Sequence, residues 1–419
     1  MIDFGVRQRD ATRPMLDEML DYKASRRISA AIFIQDLSPG GVERQSLVLA
    51  RELQVRGFDI VLVVHQMCGE LVPLLPPGVP VVDLHSARTL QDILRLRRFL
   101  LDKRPDVFMA NVDHKNVAAA CAKALAATDT RLVICQHNPL TAEYHATVNW
   151  KHRVVPWSYR ALSSRIDHAV AVSEGIAREL VHDAGLPPNK ISTIFNAVIG
   201  EDFDDRASEP VHHPWLLDKD RPVFVTAGRL VEMKDQRTLL RAFAVHLRQR
   251  PSRLMVLGSG PMLDELRNLA DTLGIAEHVA FAGFVRNPLP FMRLADAFVL
   301  SSRSEGFGNV LVEAMGCGTP VVSTDCPHGP ADILAHGKYG ILVPPRDPDA
   351  LALAFSRVLD ERETWPRDLL RARAAAFSYR ACADGYARLF NALILKHDCG
   401  GLIRSFPELS LFGTDRGKA

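Results

Sequence analysis

The sequence has no run of about 20 apolar residues, so no bilayer-spanning helix is expected. Residues 1–27 carry charges throughout and read as neither a signal peptide nor a membrane anchor. There is no CxxC pair. The seven cysteines (68, 121, 135, 317, 326, 382 and 399) are odd in number and sit mostly in apolar stretches, as buried thiols of a reducing compartment would. GxGxxG and GxxxxGKS/T are both missing, so neither a dinucleotide-binding fold nor a P-loop is supported. No His/Cys cluster has ligand spacing, and Asp202-Phe203-Asp204 and Asp347-Pro348-Asp349 fall in a linker and a helix-start turn, so no metal is assigned. A net charge of +2 argues neither for nor against a polyanionic partner, and no nucleic acid is expected.

What is present is ordinary globular composition, 47% apolar and 24% charged, in 419 residues. That length calls for two domains of roughly 200 residues each. Short apolar, β-branched runs alternate with amphipathic helical ones, the signature of βα units around parallel sheets. Strands are expected at 29–35, 59–64, 80–84, 106–110, 131–136, 168–172 and 190–194. The pattern then repeats at 222–227, 253–257, 278–282, 296–300, 319–323 and 340–343. The expected order is an N-terminal extension (1–27), a first domain (28–199), a polar linker (200–221) and a second domain (222–377). A closing helix (378–397) and a mostly polar tail (398–419) follow. Ligands of such sheets bind outside the carboxyl ends of the strands, which places the site in the cleft between the domains.

The most informative segment is 301–324, SSRSEGFGNVLVEAMGCGTPVVST. Glu305 and Glu313 flank a Gly-Phe-Gly turn followed by a helix-forming run. A turn rich in free N–H groups, at a helix N-terminus, receives an anion, most naturally a diphosphate. The two carboxylates can accept hydrogen bonds from sugar hydroxyls, so the pattern points to a nucleotide sugar.

Other strand ends add to this. Thr226–Asp235 holds Arg229 and Lys234, which can neutralise a diphosphate or, alternatively, pair with Glu232 and Asp235 in a solvated loop. Gly40-Gly41 after the first strand, Gly258 in LGSGP and Val285 in GFV each offer backbone to a ligand, or form plain tight turns. His137 ends a strand and should face the cleft, and Asp113 and His114 are candidates for an acceptor pocket. Residues 88–104 carry six basic and two acidic residues among spaced leucines. In 150–165, Trp150, Trp157 and Tyr159 alternate with Lys and Arg. Either stretch can lie on an anionic membrane leaflet, or be a solvated helix face over a buried aromatic cluster.

The ordered motifs PGGVE, VSEGIARELVHDAGLPPNKISTIFNAV, GRLVEMKDQRTLLRAF, LGSGP and EGFGNVLVEAMGCGTPVVST resemble those of glycosyltransferase family 4 over roughly residues 29–395. The resemblance is nearest to bacterial members that build cell-surface polysaccharide or lipid-linked oligosaccharide. It implies the α/β GT-B fold, two doubly wound Rossmann-like domains, and a retaining hexosyltransferase-type activity. The donor would be a UDP- or GDP-linked sugar and the acceptor a glycan or lipid-linked hydroxyl. No metal or other cofactor would be required, and the enzyme would work in the cytoplasm or at the inner face of the membrane. By the same resemblance Glu313 would hold the ribose and Glu305 the transferred sugar. The backbone of Gly306, Phe307, Gly308, Asn309 and Val310 would meet sugar and diphosphate. Arg229 and Lys234 would hold the phosphates, Gly40 and Gly41 would close over them, and His137 would sit beside the donor sugar. An epimerase, a phosphorylase or a non-catalytic scaffold on the same fold are the alternatives.

Overall fold

The computed structural model describes residues 27–38, 40–140 and 154–398, with side chains to residue 395. The expectations for most of the extension, for residues 150–153 and for most of the tail therefore lie outside the described residues.

Seven parallel strands form the first sheet: β1 (Ser29–Ile34), β2 (Asp59–Val64), β3 (Val81–Asp83), β4 (Val107–Asn111), β5 (Arg131–Gln136), β6 (His168–Ala171) and β7 (Ile191–Thr193). Their order is β3-β2-β1-β4-β5-β6-β7. Six form the second: β8 (Val223–Ala227), β9 (Arg253–Leu257), β10 (Val279–Gly283), β11 (Ala297–Leu300), β12 (Val321–Thr324) and β13 (Ile341–Val343). These run β10-β9-β8-β11-β12-β13. Central strands such as β4 and β8 are buried along their whole length. Helices cover both faces, which is why these strands read as unbroken apolar runs.

In each sheet the direction of progression reverses once, between β1 and β4 and between β8 and β11, where Ala30 pairs with Val107 and Ala297 with Phe224. Ligands of doubly wound sheets bind at such switch points. The described segments after these four strands are 35–38 with 40, residue 112, 228–235 and 301–308. All four stand out in the sequence.

Residues 200–221 are not a bare linker. They form two short helices, Phe203–Ala207 and Pro214–Leu217, and bury Phe203, Ala207, Val211 and Leu216. The acidic residues face outward, which is what makes the segment look solvated. The chain crosses between domains twice, with the Val198 and Ile199 N–H groups donating to the Phe377 carbonyl (2.8 and 3.2 Å). Phe195, Phe307 and Phe377 form an aromatic trio at this crossing, with centroids 5.5–5.6 Å apart. The helix Tyr379–Asp398 then lies on the first domain against the helix Gly41–Val55, with Arg56 Nε donating to Asp384 Oδ1 (2.8 Å).

Candidate functional site

Strand β8 ends at Ala227, and the chain turns at Gly228 into a loop capped by Asp235, whose carboxylate accepts from the Thr238 hydroxyl (2.9 Å). Arg229 and Lys234 both lie on this loop. Lys234 Nζ donates to Glu305 Oε1 at 2.5 Å, and the Ser302 hydroxyl donates to the same oxygen at 2.6 Å. Glu305 is only 9% exposed. A carboxylate this buried is stable only when paired and hydrogen-bonded, and here it is both. Arg229 is exposed, and its guanidinium has no protein partner among the described residues. The sequence leaves it open whether the two cations are neutralised by Glu232 and Asp235. They are not, since those acids pair with Arg303 and Arg237.

The Gly306-Phe307-Gly308 turn leads into the helix Asn309–Gly316, with Gly308 at φ +103 as its N-cap. The phenyl ring of Phe307 is buried in the aromatic trio, so only its backbone is available to a ligand. Its carbonyl packs on Gly329, where a Cβ would come within 1.8 Å. This seats the CPHGP turn directly behind the Gly-Phe-Gly turn. Asn309 Oδ1 accepts from Asn196 Nδ2 of the other domain (3.0 Å). Glu313, one helical turn further on from Val310, is half-buried. Burial raises its carboxyl pKa, opposed by the charges of Arg206 and of Arg44 from the first domain.

Gly258 has a different reason to be glycine from the one its motif suggests. A Cβ there would lie 1.9 Å from the Gly228 carbonyl, so its missing side chain lets β8 and β9 end side by side. Val285 follows β10 and is half-buried next to an exposed Phe284. In the first domain, a Cβ at Gly40 would meet Glu43 Oε2 at 2.0 Å, whereas Gly41 faces open space. Of the pair, Gly41 is the one that leaves room for a ligand.

His137 follows β5 at the cleft, with Nε2 3.2 Å from Asn111 Oδ1. Its edge reaches the cleft, yet the surrounding protein lowers its pKa to about 4, only partly offset by Asp113. It is therefore a neutral imidazole at pH 7, able to hydrogen-bond but carrying no charge. Its carbonyl packs against Gly306 of the second domain, where a Cβ would lie 2.0 Å from it.

The acceptor candidates behave differently from each other. Asp113 is fully buried and accepts from Gln136 Nε2 (2.7 Å); Gln136 Oε1 accepts from the Tyr159 hydroxyl (2.8 Å). Asp113 thus braces the end of β5 from within. His114 is half-buried, with Nε2 3.2 Å from Gln35 Oε1. Tyr159 belongs to this core network and not to a surface aromatic belt, whereas Trp157 is 70% exposed. Between Asn111 and Asp113, Val112 sits at φ +76 and ψ 138, a region costly for a β-branched residue. Nothing in the sequence marks that strain. Two contacts between domains are also invisible there: Asp332 Oδ2 accepts from the Glu174 N–H (2.8 Å), and His328 Nε2 lies 2.9 Å from Glu179 Oε1. Among the described residues no group of three or more His, Cys, Asp or Glu is placed to hold a metal ion.

Two Rossmann-like domains facing across a cleft, with paired acids and cations at the second switch point, define the GT-B class of glycosyltransferases. Comparison with known proteins agrees. Residues 208–375 match the family model for glycosyl transferases group 1, and residues 39–199 that for Glycosyltransferase Family 4. The chain is a glycosyltransferase of family 4. The N-acetylgalactosamine-N,N'-diacetylbacillosaminyl-diphospho-undecaprenol 4-alpha-N-acetylgalactosaminyltransferase of Campylobacter jejuni is 25% identical over 360 residues, 83% of this chain and 94% of that protein. The lipopolysaccharide core biosynthesis glycosyltransferase LpsE of Rhizobium meliloti is 36% identical over 173 residues, 41% of this chain and 50% of its own length. The crystal structure of Anabaena HepE in complex with UDP and glucose superposes with a TM-score of 0.71 at 21% identity, covering 87% of this chain and all of that one. No described helix is long and apolar enough to cross a membrane.

Proposed function

We propose that the chain moves a sugar from a UDP- or GDP-linked donor to a hydroxyl of a glycan or lipid-linked acceptor, with retention at the anomeric carbon. The observation that carries this is the part-buried Lys234–Glu305 pair (2.5 Å) on the same loops as Arg229, whose guanidinium has no partner among the described residues. Arg229 and Lys234 stabilise the departing diphosphate by preorganised electrostatics, usually the dominant contribution to catalysis of this kind. These cations supply the neutralisation that a metal would otherwise provide, so no cofactor is required. Glu305 orients the transferred sugar, Glu313 takes the ribose hydroxyls, and His137 offers a neutral hydrogen-bonding group beside the sugar. The bond from the anomeric carbon to phosphate oxygen breaks as the bond to the acceptor oxygen forms on the same face. The acceptor proton passes to the leaving phosphate, so no dedicated base is needed.

The relatives support this reading. One from Mycolicibacterium smegmatis is a GDP-mannose-dependent alpha-(1-6)-phosphatidylinositol monomannoside mannosyltransferase, and the Campylobacter enzyme acts on a diphospho-undecaprenol saccharide. Donors are best found by thermal shift, since a ligand at 100 times its Kd stabilises by about 2.7 kcal/mol. Release of nucleoside diphosphate should then require acceptor. Release without acceptor would indicate an epimerase or hydrolase, dependence on free phosphate a phosphorylase, and an inverted product would overturn retention.

A peripheral membrane contact fits the first domain. Helix Thr89–Lys103 exposes Leu90 (71%) and Leu94 (61%) between Arg88, Arg97 and Arg98. It packs on helix Asp113–Ala126, which packs on Val155–Leu162 with its exposed Trp157 beside Arg160. An apolar-basic face of this kind binds anionic lipid surfaces. Cosedimentation with phosphatidylglycerol vesicles should weaken in Leu94→Glu and Trp157→Ala and at high salt; unchanged binding in both variants would rule this face out.

A further inference from the structure

The loop that carries Arg229 and Lys234 also carries Glu232 and Asp235, two acids within reach of the cations that a diphosphate needs. The structure gives both acids to another cation, Arg303. It donates from Nε to Asp235 Oδ2 (3.0 Å) and from Nη2 to Asp235 Oδ1 (3.3 Å), and its Nη1 pairs with Glu232 Oε1. Arg237 takes the other oxygen of Glu232. The Arg303 N–H also donates to the Met233 carbonyl (2.8 Å), and the Ser301 hydroxyl to the Lys234 carbonyl (2.8 Å). Asp235 is buried beside Lys234 in the chain, so its charge, if released, would act on the site at low dielectric.

We infer that Arg303 is a positioning residue of the donor site, which sequesters the carboxylates of Asp235 and Glu232 so that the positive charge of Arg229 stays available to a diphosphate and Lys234 stays engaged with Glu305 rather than with those acids. The inference rests on the donor reading above. Arg303 lies two residues before Glu305, so one strand end supplies both the acid that engages Lys234 and the arginine that removes Lys234's competitors. An arginine does this better than a lysine, because its planar fork holds both carboxylates in a fixed geometry, three N–H groups at once.

A strut that merely fastens the turn would make the same contacts, and a charge-removal experiment separates the two. Binding of UDP and of GDP is measured by calorimetry for the wild type, Arg303→Gln, Asp235→Asn and the double variant. Arg303→Gln should weaken the preferred nucleotide about tenfold or more, the scale of one uncompensated charge near the site, and more so at low salt. Asp235→Asn keeps the helix cap, tolerates the left-handed backbone at φ +47, and should bind like the wild type. Added to Arg303→Gln, it should restore most of the affinity. A double variant as weak as Arg303→Gln identifies a strut and overturns the inference, as does wild-type affinity in Arg303→Gln. Should Arg303→Gln fail to fold, Arg303→Lys replaces it, with an intermediate loss expected and the same rescue. If the wild type binds neither nucleotide, the donor reading itself falls and takes this inference with it.

Discussion

Where strand order reverses in the second domain, the loops present Arg229, Lys234 and Glu305, each with a defined charge and setting. The equivalent strand ends of the first domain present Gly41, a buried Asp113 and the strained backbone of Val112, with a neutral His137 at the end of the neighbouring β5. The topology at the two points is the same, β1/β4 against β8/β11. The chemistry is opposite. A diphosphate with its departing charge calls for fixed cations, whereas an uncharged hydroxyl acceptor asks mainly for shape and hydrogen bonds. On the proposed reading, the domain that meets the charged ligand would be the one with charged motifs, and the other the one with glycine, strain and an internal polar network.

If this division is right, the largest loss comes from the cations. Lys234→Ala and Arg229→Ala should each lower turnover by roughly 100-fold or more, as when one transition-state donor is lost. Near-normal turnover in either folded variant would break the comparison at its centre. Gly306→Ala tests how the halves join. Its methyl group has to displace the His137 carbonyl, and a misplacement on the order of 1 Å costs about 100-fold in rate. Both nucleotide binding and folding should persist, so a variant that turns over normally would show that the domains close elsewhere. Glu313→Ala should be milder, raising donor KM about tenfold with a smaller change in kcat, on the scale of one charge-assisted hydrogen bond. An unchanged donor KM would contradict its ribose role.

The smallest effect is on stability. Burial holds His137 and His246 neutral, each with a pKa of about 4. Above about pH 6.5 both native and unfolded forms are neutral, so neither histidine contributes a pH dependence. Between about 6.5 and 4 the unfolded chain binds protons that the native state refuses. Stability should fall by up to about 1.4 kcal/mol per pH unit for each histidine. Urea unfolding at pH 7 and pH 5 measures this, and His246→Gln should flatten the slope. His246 is the cleaner probe, because it lies between Phe224 and Phe355 in the second core, away from the cleft.

Much of this is legible in the chain alone. The strands of both sheets fall where apolar runs predict them, because burial on both faces leaves no alternation to misread. Glu305, Arg229 and Lys234 stand out as ionised side chains on loops at strand ends, and Glu313 as the acid on the helix that follows the Gly-Phe-Gly turn. The features whose surroundings the sequence left open share a cause. Phe307, Tyr159 and Gly258 invite a reading by residue type and local motif, but their roles depend on neighbours far along the chain: Phe377, Gln136 and Gly228. The segment 200–221 looks like a linker because its acids and other polar groups dominate, though Phe203 and Leu216 are enough to anchor it.

Periodicity and charge are local properties, so the two parallel sheets, the glycosyl-transfer class and the charged residues of the candidate site could be read from the chain. Which acids neutralise which cations emerges only in the folded molecule. Ion pairing depends on three-dimensional distance, and Arg303 claims Asp235 while Lys234 claims Glu305 only because β8 and β11 lie side by side.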